Sequence, residues 1–341
     1  MGGLTYWREP WRVPEGHTRG LYYRLGPFAV PFSAGAVLAF TAAAFFSMKA
    51  IFVKLAYIYH VDAVTLLALR MLLCLPVLLV SAWWSSRAHP HRMTRKDWTA
   101  VVLLGFAGYY LSSLLDFMGL AYITAGLERL ILFLYPTIVA IISVFVFKKP
   151  IGRTGLIALV LSYLGIGVAT LETVNTTGDV HAVVKGSILI FLCTITYAFY
   201  IAGSGQVVNR IGATRLAALA TLVAAICVLV QFAIENEPHE LVSQPWQVYM
   251  HAGGMAVLST LLPIFMTAKA IQMIGAAKVS MIAAVGPIAT IFFGWLFLAE
   301  EVTVLQMVGA ALVLSGVILV ARKPAPKPAA VAAAQPAAAG E

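Results

Sequence analysis

Four cations, Lys49, Lys54, Arg70 and Arg129, and two carboxylates, Asp116 and Glu128, stand inside stretches that are otherwise apolar. An ionisable side chain at the centre of a bilayer costs about 2.5–3.5 kcal/mol on insertion scales, so each must find an opposite charge or serve a purpose. If a first helix ends near Ile58 and a second begins near Asp62, Lys49 and Arg70 lie about 13 Å and about 12 Å below the same surface, at 1.5 Å per residue. Two cations on neighbouring antiparallel helices repel unless something anionic stands between them. Asp116, Glu128, or the carboxylate or phosphate of a bound solute would serve. The excess of positive charge points to an anion-binding cavity. The competing reading makes Arg70 a clamp on backbone carbonyls or on Asp116, and Lys49 one half of an internal ion pair. Lys54 is nearer the helix end and can snorkel. Asp116, Glu128 and Arg129 fall within a turn or two of helix ends and are the candidates for coupling or ion pairing, with Glu128 the candidate proton carrier. Glu128 and Arg129 are adjacent and therefore project about 100° apart, which predicts one facing protein and the other the membrane edge.

Tyrosines supply the second chemistry. Tyr109, Tyr110, Tyr135, Tyr197 and Tyr200 fall near the middle of apolar stretches. A buried tyrosine needs a partner for its hydroxyl, so a wall of them suits an amino acid or an aromatic metabolite. The alternative for any one of them is packing with a single hydrogen bond. Lys49, Arg70, Tyr110, Tyr135, Tyr197 and Tyr200 are the candidate substrate-binding residues. Pro136, Pro263 and Pro287 interrupt apolar stretches. Each deletes a backbone hydrogen bond, and the carbonyl so freed must face protein or a wet cavity. Kinks flanking a central cavity are expected there.

The elements that must hold these groups are membrane spans. The chain is 61% hydrophobic and 11% charged with a mean hydropathy of +0.90, where a soluble domain is about 45–50% apolar and about 25% charged. Stretches long enough to cross a bilayer, about 20 residues each, occur at roughly 32–57, 62–84, 98–119, 124–147, 152–171, 184–204, 213–234, 247–268, 275–298 and 303–321. Most of the 23 basic residues fall on one side of these spans and most loop acids on the other, Lys185 being the basic residue among the acids. By the positive-inside rule both termini are cytoplasmic. Residues 1–31 read as a cytoplasmic leader, 172–183 as an outer linker, and the Ala/Pro-rich segment 322–341 as a disordered cytoplasmic tail.

The spans repeat. A shift of 151 residues carries Gly35 onto Gly186, Pro136 onto Pro287, Gly165 onto Gly316 and Lys49 onto Tyr200. Ten spans divide into five per unit, at 32–171 and 184–321. Five is odd, so the second unit enters from the opposite side: an all-α integral membrane protein of two inverted five-helix repeats. The unit ends read Gly119-Leu-Ala-Tyr-Ile-Thr-Ala, Tyr135-Pro136 and Phe147-Lys148-Lys149-Pro150 in the first copy. In the second they read Ala270-Ile-Gln-Met-Ile-Gly-Ala, Gly286-Pro287 and Glu300…Thr303…Gln306…Gly309. This pattern resembles the paired EamA domains of the drug/metabolite transporter superfamily, departing at Lys148-Lys149, where that family usually has a glutamate. The resemblance implies ten helices around a central cavity and transport of small organic solutes, often as export.

Other functions find little footing. No GxxxxGK[ST] motif is present for ATP-driven transport. The histidines are scattered, and Cys74, Cys193 and Cys227 lie in apolar runs, so neither a metal nor a disulfide is expected. No cofactor is implied, and no basic stripe on a soluble domain suggests nucleic acid. The expectation is a non-enzymatic secondary transporter of the bacterial inner membrane, probing the bilayer on all sides and exporting an anionic or zwitterionic, amino-acid-like metabolite by alternating access. A broad-specificity drug or neutral-solute exporter and an integral-membrane enzyme are the alternatives. Proton coupling and homodimerisation are left open. Small residues such as Gly165, Gly309 and Gly316 are expected to pack helices closely, within or between subunits.

Overall fold

A computed structural model describes residues 34–88, 92–147 and 153–321, so the leader, the tail and Lys148-Lys149 lie outside the described residues. Those described are helical or in short connections, with no strand among them. Two long rods open the chain, α1 (Ala34–Tyr57) and α2 (Ala63–Ala88). The third span is α3 (Arg95–Gly105) and α4 (Ser112–Leu120), joined by a π-helical turn at Phe106–Leu111. The fourth is broken into α5 (Ala125–Leu132) and α6 (Tyr135–Phe147). Single helices follow: α7 (Arg153–Thr177), α8 (Val180–Ile211) and α9 (Ala213–Glu235). The eighth span is α10 (Trp246–Gly254) and α11 (Leu262–Ile274) around a second π-helical turn, Met255–Leu261. The ninth is broken into α12 (Ala276–Ala283) and α13 (Gly286–Leu298), and α14 (Val304–Ala321) ends the fold. Nine of these units are long and apolar enough to cross a membrane. A shorter apolar helix, Val304–Leu319, provides the tenth.

Local chemistry sets the ends. Asp62 accepts from the Val64 and Thr65 amides at 2.9 Å, Thr124 from Leu127, and Asp179 from Ala182, each filling orphan donors of a first turn. Thr94 and Asp97 cap α3 reciprocally. Gly212 and Gly275, at φ 87° and 83°, take the left-handed backbone that lets α8 turn directly into α9 and α11 into α12.

The packing obeys an exchange rule. Helix α1 packs on α11 and α13, while α8 packs on α4 and α6; α2 packs on α9, and α7 on α14. Swapping the two repeats maps this set of pairs onto itself, as a pseudo-two-fold axis requires. The breaks obey it too, since Phe133–Leu134 shifted by 151 residues becomes Ala284–Val285. The α7–α14 pair is the tightest contact of backbones. A Cβ on Gly165 would lie 2.6 Å from the Gly309 carbonyl, and one on Gly309 would lie 2.7 Å from the Gly165 carbonyl. These glycines therefore pack helices within one chain. The bundle has an acidic face carrying Asp62, Asp179, Glu237, Glu240 and Glu300, and a basic face carrying Arg87, Arg95, Arg210 and Arg215.

Candidate functional site

The charged residues of the first repeat converge in the middle of the bundle. Helix α1 brings Lys49 between α4 and α5, where its Nζ lies 2.6 Å from Asp116 Oδ2 and 3.3 Å from Glu128 Oε1. Asp116 and Glu128 are buried, Glu128 with no exposure, and the Lys49 side chain keeps 13%. Asp116 Oδ1 and both Glu128 oxygens make no hydrogen bond, so the ammonium alone compensates two carboxyl groups. Arg70 on α2 also meets α4. It donates to Ser113 Oγ at 3.2 Å, and its guanidinium lies 4.9 Å from the centre of the Phe117 ring. Its hydrogen-bond partner is thus a hydroxyl one turn before Asp116, not the Asp116 carboxylate.

Arg129 resembles Arg70 in lacking a close ion pair but makes no side-chain hydrogen bond of the kind Arg70 makes to Ser113. It is 8% exposed, its guanidinium sits 4.8 Å over the Phe46 ring, and its Nε is buried without a hydrogen bond. Among the described residues it has no ion-pair partner. Its Nη2 abuts the break in the ninth span, where a Cβ on Gly286 would come within 3.1 Å of it. That break is pinned to the middle of α1: the Ser47 hydroxyl, shared between Ala43 O and Gly286 O, reaches Gly286 at 3.0 Å, and Thr290 Oγ1 donates to Gly286 O at 3.2 Å. Helices α6 and α13 both begin at these breaks, each with proline as its second residue, so two helix N-termini with their partial positive charge face the bundle centre. Pro263 sits likewise in the first turn of α11, directly after the π-helical turn. Phe133 N closes on Arg129 O at 3.1 Å, and Ile131 O, in the turn before the break, accepts Thr194 Oγ1 at 3.3 Å.

A tyrosine group borders the charges. The Tyr135 and Tyr197 rings meet edge to face at 5.4 Å, Tyr197 stacks on Tyr200 at 6.2 Å, and the Tyr200 and Tyr109 hydroxyls lie 3.2 Å apart. Glycine at 108 admits it, because a Cβ there would overlap the Tyr200 Cβ. Tyr110, expected in this wall, is elsewhere: it donates to Gln231 Oε1 of α9 at 2.9 Å. Both tyrosines lie within the π-helical turn, which sends the adjacent rings to different neighbours, Tyr109 to Tyr200 and Tyr110 to Gln231. The expectation that Glu128 and Arg129 divide between protein and membrane edge also fails. Helix α5 is enclosed by α1, α7, α8 and α13, and leaves no open edge, so both residues are buried. Lys54 does not snorkel freely but donates to Ile123 O at 2.7 Å and lies 3.9 Å from Glu300. Sequence reasoning passed over Glu300 as an actor here. It accepts from the Ala125 amide at 2.8 Å and from that of Gly126 at 3.4 Å, capping α5 from the other repeat.

A multi-pass helical bundle with paired mid-span breaks and buried charges around them defines a membrane transporter. The model of the EamA-like transporter family matches the chain twice, over residues 33–171 and 184–322, and the chain belongs to that family. Among similar proteins of Bacillus subtilis (strain 168), the one named uncharacterized transporter YcbK is 29% identical over 282 residues, covering 81% of this chain and 89% of its own. Uncharacterized transporter YdfC is 23% identical over 222 residues, covering 65% and 71%. A solved crystal structure shares the fold with a TM-score of 0.59 at 15% identity, covering 84% of this chain and 98% of its own.

Proposed function

We propose that this transporter carries a small metabolite bearing a carboxylate, anionic or zwitterionic, out across the bacterial inner membrane by alternating access, with both termini cytoplasmic and Arg129 holding the carboxylate. The observation that carries the reading is the buried charge balance. Lys54 is beside Glu300, which leaves Lys49, Arg70 and Arg129 against Asp116 and Glu128. Lys49 takes up both acids, which leaves Arg70 and Arg129 without a close ion pair; Arg70 is held on Ser113 Oγ, so Arg129, beside the Gly286 break, is the cation assigned to the solute. An uncompensated charge in a low-dielectric interior is costly, so a guanidinium kept there without a partner is best explained by a ligand that completes it. Its fork matches a carboxylate bidentately. The two helix N-termini at the breaks favour the same sign of ligand. The tyrosine rings supply an apolar, hydroxyl-tipped wall for the rest of the molecule, and Lys49 and Arg70 hold the cavity's shape. Export rather than uptake is read from the family resemblance, and the orientation from the basic face. The reading is of a carrier and not of an enzyme.

The test is thermal stabilisation of the purified protein by a panel of carboxylate, neutral and cationic metabolites, run beside Arg129→Gln. A bound ligand at one hundred times its Kd stabilises by about 2.7 kcal/mol. Carboxylates should raise the melting temperature of the wild type and leave Arg129→Gln unmoved. Stabilisation by neutral or cationic compounds alone, unchanged in the mutant, would favour the broad-specificity drug exporter and refute the anion reading.

The Asp116–Lys49–Glu128 group supports a second role at the same site. Asp116 Oδ1 and Glu128 Oε2, which have neither a hydrogen bond nor the lysine, leave room for a proton shared between the acids, so proton coupling would run through this group.

A further inference from the structure

A cavity of about 510 Å³ opens sideways near the basic face, away from the charged centre. Its walls are Val77, Val80, Ser81 and Trp84 of α2, Thr214 of α9 and Phe265 of α11. The volume falls in the range of small-molecule sites, about 300–1,000 Å³. The walls are almost wholly apolar, and Val80 and Trp84 are exposed at 62% and 70%, so the groove faces the hydrocarbon of the bilayer. Val77, Val80, Trp84 and Arg87 follow one side of α2 at spacings of three, four and three residues, so Arg87, which is outside the cavity walls, stands beyond them toward the end of the helix. Arg87 is exposed and stacks 4.0 Å over the Trp83 ring, an arrangement that seats a guanidinium at the headgroup level.

We infer that this groove is the seat of one anionic phospholipid from the leaflet on the basic face, with an acyl chain against Val77, Val80 and Phe265 and the phosphate on Arg87. Charge complementarity selects the occupant. An apolar slot ending in an exposed arginine fits a molecule with a hydrocarbon tail and an anionic head, and basic pockets between spans at this level hold such headgroups. A free anion would gain nothing from the slot, and an uncharged tail would gain nothing from Arg87. The seat also lies across the seam of the repeats, since α2 belongs to the first and α9 and α11 to the second. Alternating access must shear that seam, so an occupied groove biases which arrangement of the repeats is populated.

Native mass spectrometry of the detergent-purified full chain tests the inference, using phosphatidylglycerol and phosphatidylcholine of identical acyl chains. The wild type should retain one phosphatidylglycerol at collision energies that strip phosphatidylcholine. Arg87→Gln should lower the phosphatidylglycerol preference at least fivefold, and Val80→Trp, which fills the slot, should remove the retained adduct. Melting curves of each variant report folding. If Val80→Trp does not fold, Ser81→Leu narrows the same slot and should weaken retention in the same direction. Equal retention of the two lipids by the wild type, or unchanged preference in Arg87→Gln, would overturn the proposal. So would an adduct that survives whichever slot-filling variant folds.

Discussion

Two cations of the charged group should respond to the same substitution with opposite signs. Lys49 and Arg129 are both enclosed by protein, but Lys49 holds two carboxyl groups and Arg129 holds none. Lys49→Met leaves Asp116 and Glu128 facing each other across an apolar gap. Breaking a buried ion pair by deleting one partner costs about 3–5 kcal/mol. At about 2 °C per kcal/mol for a chain of this size, the melting temperature should fall by about 6–10 °C. Arg129→Met deletes a buried charge that has no close ion pair, although Glu128 stands in its field. It forfeits the contact with Phe46, worth about 0.5–2 kcal/mol, and relieves a desolvation penalty of several kcal/mol. Stability should therefore be kept or raised, while carboxylate binding is lost. The assay is a melting curve of each variant in the same detergent, with and without a stabilising carboxylate at saturating concentration. Arg129→Lys should recover part of the ligand response, because a point charge remains where the fork was. A fall of more than about 3 kcal/mol in ligand-free Arg129→Met would refute the reasoning, since it would mean that Arg129 is held by the fold and not kept for a solute.

Other expectations follow from the same geometry. Glu128→Gln, with substrate flux followed in proteoliposomes, should keep transport down a substrate gradient but abolish its response to an imposed proton gradient; a retained response would remove Glu128 from coupling. Glu300→Ala strips two backbone amides of α5 and the neighbour of Lys54, and should cost about 1–3 kcal/mol in a denaturation or melting assay, with Glu300→Gln recovering part. Gly316→Leu forces a side chain into the Ala158 carbonyl, where even a Cβ would lie 2.6 Å away, so it should destabilise by at least about 1–3 kcal/mol, read as loss of folded protein. Gly108→Ala should displace Tyr200 and weaken substrate binding more than it lowers the melting temperature; equal losses would make the tyrosine group mere packing.

Hydropathy and the 151-residue echo made the architecture legible, because lipid imposes one length and one composition on every span and the repeat doubles each signal. Pro136 and Pro287 marked the breaks, since a missing amide leaves its trace in the sequence. The π-helical turns at Phe106–Leu111 and Met255–Leu261 left no such trace, and position within a span could not say which of the adjacent Tyr109 and Tyr110 faces the other tyrosines. That they fall near equivalent positions of the third and eighth spans was open to detection only by aligning the two repeats in three dimensions. Within the charged group, depth along the helices brought Lys49 and Arg70 to one level and left Asp116 and Glu128 nearer the helix ends. Partner choice was not legible, because whether Asp116 faces Lys49 or Arg70 depends on the rotation of α4 after its π-helical turn. Glu300 was visible as a motif residue, but its contact with α5 joins opposite ends of the chain, and no local pattern encodes it.

The symmetry of the backbone makes the asymmetry of the side chains informative. Shifted by 151 residues, Lys49, Arg70, Asp116, Glu128 and Arg129 fall on Tyr200, Thr221, Thr267, Val279 and Ser280, so every intramembrane charge of this group belongs to the first repeat. The second repeat supplies the complement: the Gly286 break against Arg129, the hydroxyls of Tyr197 and Tyr200, and the Glu300 cap on α5. A symmetric pair of charged sites would bring like charges to the same level near the axis, at a cost no solute of single charge could offset on both sides. Confining the charges to one repeat leaves a single polar pole facing a single aromatic one. For the solute proposed above, that arrangement would set the carboxylate at one end and the apolar body at the other. If the repeats rock, the charged pole would travel with the first repeat, because α5 carries Glu128 and Arg129 while α1 and α4 carry Lys49 and Asp116.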